Sequence, residues 1–236
     1  IDEVIADLSF ADEILVVDSN STDGTLEKLA KLKHVKTICR PFKNFADQRN
    51  FAIAQAKNEW LIFIVADERI PKRLRNEILK EVNNPSEDYD AFLVKRLYYF
   101  NDKRIRFSGF QTDATYRIYK KGSVKYIEER IVHEIPEISG KSKLLKSPMP
   151  HFCFESYEHY KSKMEHYAKL KAIELSKEGV KPNLFHFIFR PCYKFILNYF
   201  FRLGLLDGKE GFIICKLSAY GVYYRYVELK KIVNKS

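Results

Sequence analysis

The sequence lacks long hydrophobic runs, paired cysteines and any tract of low complexity. No uncharged apolar stretch approaches the roughly 20 residues that a membrane-spanning helix needs. The four cysteines stand apart without a CxxC pair, which argues against a zinc site or a disulfide framework and fits a reducing cytosol. No signal peptide, internal repeat or nucleic-acid-binding motif is visible, so we expect no nucleic-acid partner. With 46% hydrophobic residues, the chain can still bury a sizeable core.

Positive charge is concentrated in one part of the chain. Residues 1–140 hold 23 basic and 23 acidic residues, whereas residues 141–236 hold 18 and 8 and carry the whole net charge of +10. The basic part is also rich in aromatic residues, as in "NLFHFIFRPCYKFILNYFFRLGLL" (183–206). Helices with Lys/Arg on one face and Phe/Tyr/Leu on the other are typical of membrane-surface binding. We therefore predict an anionic membrane surface as a partner, with ordinary helical packing behind a solvated basic face as the alternative.

Strands and helices alternate over the first 82 residues, which predicts an α/β open sheet. The expected order is the end of a helix at 2–8, a strand at 13–19, a helix from Ser21 or Thr22 to about 33, a strand at 35–39, a helix at 44–57, a strand from 60 and a helix with Pro71 at its first position. β-rich pieces follow from residue 89, and the chain becomes helical after Pro150. We predict two domains, residues 1–150 and residues 151–236.

Two predicted strands end on acids. Asp18 closes "EILVVD" and is followed by small polar residues, although a polar loop with a helix cap explains that pattern equally simply. Asp67 and Glu68 stand side by side after "WLIFIVA". Adjacent carboxylates repel each other unless an arginine or a cation compensates them, and a divalent metal with oxygen ligands suits that place. Because ligands bind at the carboxyl ends of strands in open α/β sheets, these acids mark a candidate site.

Three blocks carry a resemblance to a known family. The segments "ADEILVVDSNSTDGT", "RPFKNFADQRNFAIAQAKNEWLIFIVADE" and "RIVHE" resemble family-two glycosyltransferases with a GT-A fold, especially bacterial enzymes that add sugars to lipopolysaccharide core or related surface glycans. The resemblance covers most of residues 1–150, and "RPCYKFILNYFFRLGLLDGKEGF" is similar to the membrane-associated tail of that subgroup. It implies an open mixed sheet flanked by helices, with a Rossmann-like nucleotide-binding half and a helical C-terminal extension.

The resemblance also implies an activity. It is the inverting, metal-dependent transfer of a sugar from a UDP-linked or similar nucleotide-sugar to a lipopolysaccharide-core or other membrane-presented glycan. Such an enzyme is cytoplasmic and peripheral at the inner face of the bacterial inner membrane. Its donor would contact eight residues of this chain: Asp18, Ser19, Asp23, Gln48, Arg49, Asn50, Ala66 and Asp67. Asp67 would also hold the Mg²⁺ or Mn²⁺ that bridges the diphosphate, and the planar guanidinium of Arg49 suits phosphate.

Val65 departs from the family pattern, because "VADE" stands where the family has an aspartate-containing DxD motif, usually "DADE". Valine removes one oxygen ligand of the metal or one acceptor for the ribose. Water and phosphate oxygens can fill the place at a hard cation, so we expect weakened donor binding with catalysis retained. The alternative is a catalytically impaired or non-catalytic relative that binds a nucleotide or a partner protein.

The general base belongs to a later acidic motif in the family. Glu134 in "YRIYKKGSVKYIEERIVHE" matches it best, and Asp113 in "GFQTDATYR" is the alternative. Arg117 either faces a phosphate or is a structural strand residue. Three histidines, His151, His159 and His166, lack the spacing of a helical metal pair, and we interpret them as structural or interfacial.

Family members begin with a strand of the type "VVIPTxNEE" before the helix that ends here at "IADLSFADE". No such strand precedes that helix in the given sequence, so we expect either that the chain is a fragment or that its true N-terminus lies upstream. We therefore expect an incomplete sheet with an exposed edge, which invites association.

Overall fold

The computed structural model describes residues 1–84, 87–127 and 135–234. The chain divides into two compact units, the first formed by residues 1–96 and 114–151 and the second by residues 97–113 and 152–236. Residues 97–113 thus group with the helical part, while the predicted domain boundary at residue 150 itself stays a prediction.

Helices and strands alternate in the first part of the chain, and helices dominate the last part. The helices of the described residues are α1 (Asp2–Asp7), α2 (Thr25–Leu29), α3 (Phe45–Gln55), α4 (Lys72–Asn83), α5 (Tyr157–Lys177), α6 (Leu184–Phe187), α7 (Phe189–Ile196) and α8 (Gly208–Val233). The strands are β1 (Ile14–Asp18), β2 (Val35–Cys39), β3 (Trp60–Ile62), β4 (Ala91–Phe100), β5 (Lys103–Ile105), β6 (Ala114–Lys120), β7 (Val124–Lys125), β8 (Glu137–Ile138), β9 (Ser142–Leu144) and β10 (Met149–Phe154). Short 3₁₀ turns cover Lys121–Ser123 and Gly204–Asp207, and a π-helical turn covers Leu197–Phe201.

The strands form one larger sheet and two smaller ones. β1 and β2 are parallel, with Ile14 opposite Val35. The larger sheet has the order β10-β4-β6-β3, and β5 and β9 also pair with β4. β6 runs antiparallel to both β3 and β4, and β9 runs parallel to β4. The remaining pair is β7 with β8, which is antiparallel. The predicted α/β fold with a helical C-terminal part is confirmed.

Helices cover both faces of the larger sheet in the first unit. Ile118 of β6 packs in one core cluster with Leu74 of α4, whereas Tyr119 packs in another with Ala46 of α3. Successive residues of a strand point to opposite faces, so α4 and α3 lie on opposite sides of β6. This arrangement leaves the ends of the strands available for a site.

The second unit is built mainly from α5 and α8. Tyr160 of α5 and Ile214 and Leu217 of α8 belong to one buried cluster, and Ala172 and Tyr226 belong to the next along the same two helices. Across the described ranges, no helix combines the length and the apolarity that crossing a membrane requires.

Three boundaries differ from the sequence expectation. α2 begins at Thr25 because Gly24 adopts a left-handed backbone (φ 82°) immediately before it. β3 ends at Ile62, before the apolar run does, and a tight turn follows in which the N–H of Glu68 donates to the carbonyl of Val65. Pro71 precedes α4 as its extended cap residue (ψ 154°) and is not its first helical residue.

Candidate functional site

Asp18 lies at the carboxyl end of β1 and is buried. Its two carboxylate oxygens accept hydrogen bonds of 2.7 Å each from the backbone N–H and the hydroxyl of Ser21. Gln48 of α3 donates through Nε2 to the carbonyl of Val17 at 3.2 Å and to the hydroxyl of Ser19 at 3.1 Å. The structure therefore brings three predicted donor residues, Asp18, Ser19 and Gln48, together at one strand end.

Asp23 lies in the same loop but has a local contact. Its Oδ1 accepts the backbone N–H of Thr25 at 3.1 Å, at the start of α2. Hydrogen bonds from the side chain and backbone of Thr25 hold the pKa of the Asp23 carboxyl below its usual value. Asp23 is thus an exposed anion that anchors the start of α2.

Arg49 and Asn50 of α3 both contact Tyr126. The Arg49 guanidinium carbon lies 5.0 Å from the ring centre of Tyr126 and 5.2 Å from that of Phe63, which are cation–π distances. Asn50 donates through Nδ2 to the carbonyl of Tyr126 at 2.8 Å and accepts its N–H through Oδ1 at 3.0 Å. The Asn50 amide therefore fixes the backbone at Tyr126, and Arg49 lies beside the chain that leads to Asp67.

A tight turn follows β3 and carries Asp67. The N–H of Glu68 donates to the carbonyl of Val65 at 3.0 Å, and the N–H of Val65 donates to Oε2 of Glu68 at 3.3 Å. Arg69 adds a hydrogen bond of 3.1 Å from Nη1 to the carbonyl of Ala66. Ala66 is exposed and Asp67 is partly exposed at the crest of the turn, so both predicted donor residues face outward while Glu68 faces inward.

Glu68 is held by arginines. Its carboxylate has no exposed surface and pairs with Arg117 of β6 through two short contacts, 2.9 Å to Nε and 2.6 Å to Nη2. Nη1 of Arg96 lies 4.0 Å from Glu68 Oε1. This two-point geometry is the strongest form of carboxylate–arginine contact. An arginine therefore compensates one of the two adjacent acids. Arg117 is a structural residue of β6, because its guanidinium pairs with Glu68.

His151 is a neighbour of Asp67 that the sequence did not single out for chemistry. Its Nε2 lies 3.3 Å from Oδ1 of Asp67. The backbone of His151 forms a bridge with Glu68, and the carbonyl of Pro150 accepts the N–H of Arg69 at 3.1 Å. β10 thus brings an imidazole to the turn. No local spacing signals this, because the two residues are far apart in the sequence.

Asp67 and His151 suit the divalent cation that the resemblance implies. The 3.3 Å contact brings a carboxylate oxygen and an imidazole nitrogen together, and both atom types would ligate a divalent cation. No set of three His, Cys, Asp or Glu side chains converges on a metal position within the described residues. A cation here would therefore take its other ligands from phosphate and water, as Mg²⁺ commonly does. An imidazole ligand favours a transition metal such as Mn²⁺ over Mg²⁺.

The two candidates for the general base stand differently. Asp113 immediately precedes β6 and belongs to the second unit, where its N–H donates to the carbonyl of Phe110 at 3.3 Å. Glu134 lies outside the described residues. Of the three histidines interpreted as structural or interfacial, the other two, His159 and His166, are on α5.

Comparison with known proteins identifies the family. The model of glycosyl transferase family 2 matches residues 1–145, so the chain belongs to that family and is a glycosyltransferase. An uncharacterized glycosyltransferase of Rickettsia conorii is 28% identical over 238 residues, covering 97% of this chain and 84% of that protein. The lipopolysaccharide core biosynthesis glycosyltransferase LpsC of Rhizobium meliloti is 28% identical over 227 residues, covering 91% and 83%. The solved structure of S. aureus TarS 1-349 aligns over 99% of this chain and 87% of that one, with 17% identity and a TM-score of 0.49.

Proposed function

We propose that this glycosyltransferase moves a sugar, with inversion, from a UDP-linked or similar nucleotide-sugar to a lipopolysaccharide-core or other membrane-presented glycan. The observation that carries the proposal is the turn after β3, where Asp67 is held partly exposed beside His151, at 3.3 Å. The likeness to LpsC, whose name states lipopolysaccharide core biosynthesis, supports the class of acceptor.

The donor would be bound along the strand ends of the first unit. Asp18, Ser19 and Gln48 would receive the nucleoside, since Gln48 bonds Ser19 and the carbonyl of Val17, next to Asp18 at the same strand end. Arg49 would face the diphosphate, and Asp67 with His151 would hold the Mg²⁺ or Mn²⁺. When bound, a divalent cation stabilises negative charge on the departing diphosphate.

The reaction is a single displacement. An acceptor hydroxyl oxygen attacks the anomeric carbon from the face opposite the diphosphate, a new glycosidic bond forms, and the bond to the diphosphate oxygen breaks. The hydroxyl proton passes to a carboxylate, for which Glu134 or Asp113 is proposed, and the nucleoside diphosphate leaves. Glu68 takes no proton in this scheme, because Arg117 occupies its carboxylate.

The acceptor would be met at a membrane surface. The basic excess of residues 141–236 suits an anionic lipid surface, which attracts each nearby cation with about 1 kcal/mol. We propose that the protein is peripheral at the cytoplasmic face of the inner membrane.

Calorimetric titration of UDP, with and without Mn²⁺, tests the donor and metal assignments. We expect Mn²⁺ to tighten UDP binding to the native protein and Asp67→Asn to remove that gain. Val65→Asp should increase the gain, because it restores a carboxylate beside the site. Asp88→Asn, at an exposed carboxylate, is the matched control.

UDP affinity that is the same with and without Mn²⁺ in both the native protein and Asp67→Asn would contradict the metal assignment. Failure of every variant to bind UDP would contradict the choice of nucleotide. If UDP and Mn²⁺ bind but no UDP-sugar is consumed in the presence of membrane acceptors, the alternative of a non-catalytic nucleotide-binding relative is favoured.

A further inference from the structure

Four cationic side chains occur on neighbouring elements of the second unit. Arg190 and Lys194 are one turn apart on α7, Arg202 follows the π-helical turn, and Arg225 is on α8. α7 and α8 pack against each other in this unit. None of the four forms a salt bridge with a carboxylate within the described residues, although the chain contains many such pairs elsewhere.

Two of these cations, Lys194 and Arg225, are partly buried, whereas Arg190 and Arg202 are exposed. Lys194 is half-buried, and burial, followed by the charges of Arg202 and Arg225, lowers its pKa. Burial also lowers the pKa of Arg225, whose Nε is buried without a hydrogen-bond partner. Like charges in a partly desolvated place repel each other, and an anion among them relieves the repulsion.

Two contacts define the surroundings of this cluster. Arg190 donates from Nη1 to the hydroxyl of the buried Tyr226 at 2.5 Å, which fixes its guanidinium beside α8. Glu174 is the carboxylate that acts favourably on Arg225, and Lys171 already bonds it at 2.6 Å. The cluster is therefore positive overall, with its donors only partly used.

An exposed aromatic ridge runs along the same helices. Phe185, Phe189, Tyr193 and Phe200 are 53%, 60%, 65% and 52% exposed. The rings of Phe185 and Phe189 stack with their centres 5.6 Å apart, Tyr193 lies one turn beyond Phe189 on α7, and Phe200 lies in the π-helical turn that follows. Arg190 and Lys194 each follow a ridge residue by one position, so cations flank the apolar face. A large exposed apolar surface bordered by Lys and Arg is the pattern of a helix that lies in a lipid surface.

We propose that Arg190, Lys194, Arg202 and Arg225 bind the phosphate of an anionic lipid headgroup while the aromatic ridge enters the surrounding lipid. Guanidinium groups offer phosphate paired N–H donors, and the lysine adds a point charge. The inference rests on the proposed contact with a membrane surface and names the residues and the headgroup chemistry that produce it.

Vesicle flotation of the full chain tests the site. The vesicles contain phosphatidylglycerol in phosphatidylcholine, and the compared proteins are the native chain and Lys194→Gln/Arg225→Gln. We expect the double variant to lower the partition coefficient about thirtyfold, which is the effect of two cations at the surface. The matched control, Lys169→Gln/Lys177→Gln, removes the same charge from exposed positions of α5 and should lower it less than about threefold. The charge-preserving pair Lys194→Arg/Arg225→Lys should bind like the native chain.

The outcomes separate the site from the broader proposal. Absence of native binding to phosphatidylglycerol vesicles would refute the membrane contact, and the site with it. Native binding that both double variants weaken equally would refute the site alone. Equal partition into oleate-containing vesicles of the same zeta potential would show attraction to charge rather than to phosphate. Inorganic phosphate that binds in calorimetry more tightly than vesicles do would assign the cluster to free phosphate and refute the lipid assignment.

Circular dichroism checks that the double variant is folded. If Lys194→Gln/Arg225→Gln proves misfolded, the exposed pair Arg190→Gln/Arg202→Gln replaces it, with the same expected loss relative to the control. A folded exposed pair that binds vesicles like the native chain refutes the proposal.

Discussion

Glu68→Gln tests how much the buried Glu68–Arg117 pair stabilises the first unit, which contains the turn that carries Asp67. The substitution keeps the shape of the side chain but removes the charge that pairs with Arg117 at 2.6 Å. The Arg117 side chain is 5% exposed and the Glu68 side chain is 0% exposed. Arg117 would then remain buried without a counter-charge, and Arg96 would lose the carboxylate charge that lies 4.0 Å from its Nη1.

Removing one partner of a buried ion pair costs about 3–5 kcal/mol in the free energy of unfolding. For a chain of this length, each kcal/mol lowers the thermal midpoint by about 2–4 °C, so we expect a decrease of about 6–20 °C. Trp60 is the single tryptophan and stacks on Phe92 with ring centres 5.5 Å apart, in the first unit. Its fluorescence during thermal unfolding therefore reports on the unit that contains the turn.

The matched control is Asp88→Asn, which removes the carboxylate that Lys120 contacts at 2.8 Å. The Asp88 side chain is 89% exposed, so water replaces the lost partner and the midpoint should stay close to that of the native protein. Equal midpoints for Glu68→Gln and Asp88→Asn would refute the reasoning, because the buried ion pair would then stabilise the fold no more than the exposed one does.

Two further predictions concern the metal ligand and the helical unit. His151→Gln should reduce the Mn²⁺-dependent gain in UDP affinity by about tenfold or more and the Mg²⁺-dependent gain by less, as measured by calorimetry. The control His159→Gln should change neither gain. Equal losses for the two metals would contradict the imidazole ligand. Gly211→Ala places a Cβ 2.0 Å from the carbonyl oxygen of Gly204 and should lower the free energy of unfolding by about 1–3 kcal/mol. Unfolding is measured by circular dichroism at 222 nm. Gly122→Ala, whose Cβ would have no atom within 4 Å, is its control, and equal stability of the two variants would contradict the predicted clash.

Much of the alternating first part could be predicted from sequence because its signals are local. The strand at residues 35–39 matches β2 at both ends, and the helix predicted at 44–57 is α3, which the Asn44 side chain caps. Asp67 was also predicted to follow a strand. β3 ends at Ile62, although the apolar run continues to Ala66. Beyond the strand, the N–H of Val65 donates to the Glu68 carboxylate and not to another strand, and hydrophobicity alone does not reveal that change of partner.

The partners across the sheet could not be predicted. The sequence indicated that an arginine or a cation must compensate Glu68, but several arginines were available, and only the pairing of β3 with β6 selects Arg117. His151 reaches Asp67 through the position of β10, which no periodic pattern encodes. Asn50 and Arg49 were predicted as donor residues, and the structure adds their contacts with Tyr126.

The departure at Val65 removes a ligand without removing the turn. Val65 contributes its backbone here: its carbonyl accepts the N–H of Glu68, and its N–H donates to the Glu68 carboxylate. The N–H contact is available to any residue that is not proline and the carbonyl contact to any residue, so neither hydrogen bond needs the valine side chain. Val65→Asp should therefore change metal-dependent UDP affinity while leaving the Trp60 unfolding midpoint near that of the native protein. A marked drop in that midpoint would show that the valine side chain supports the turn, and the loss of the family's aspartate would then be a structural adaptation rather than a missing ligand.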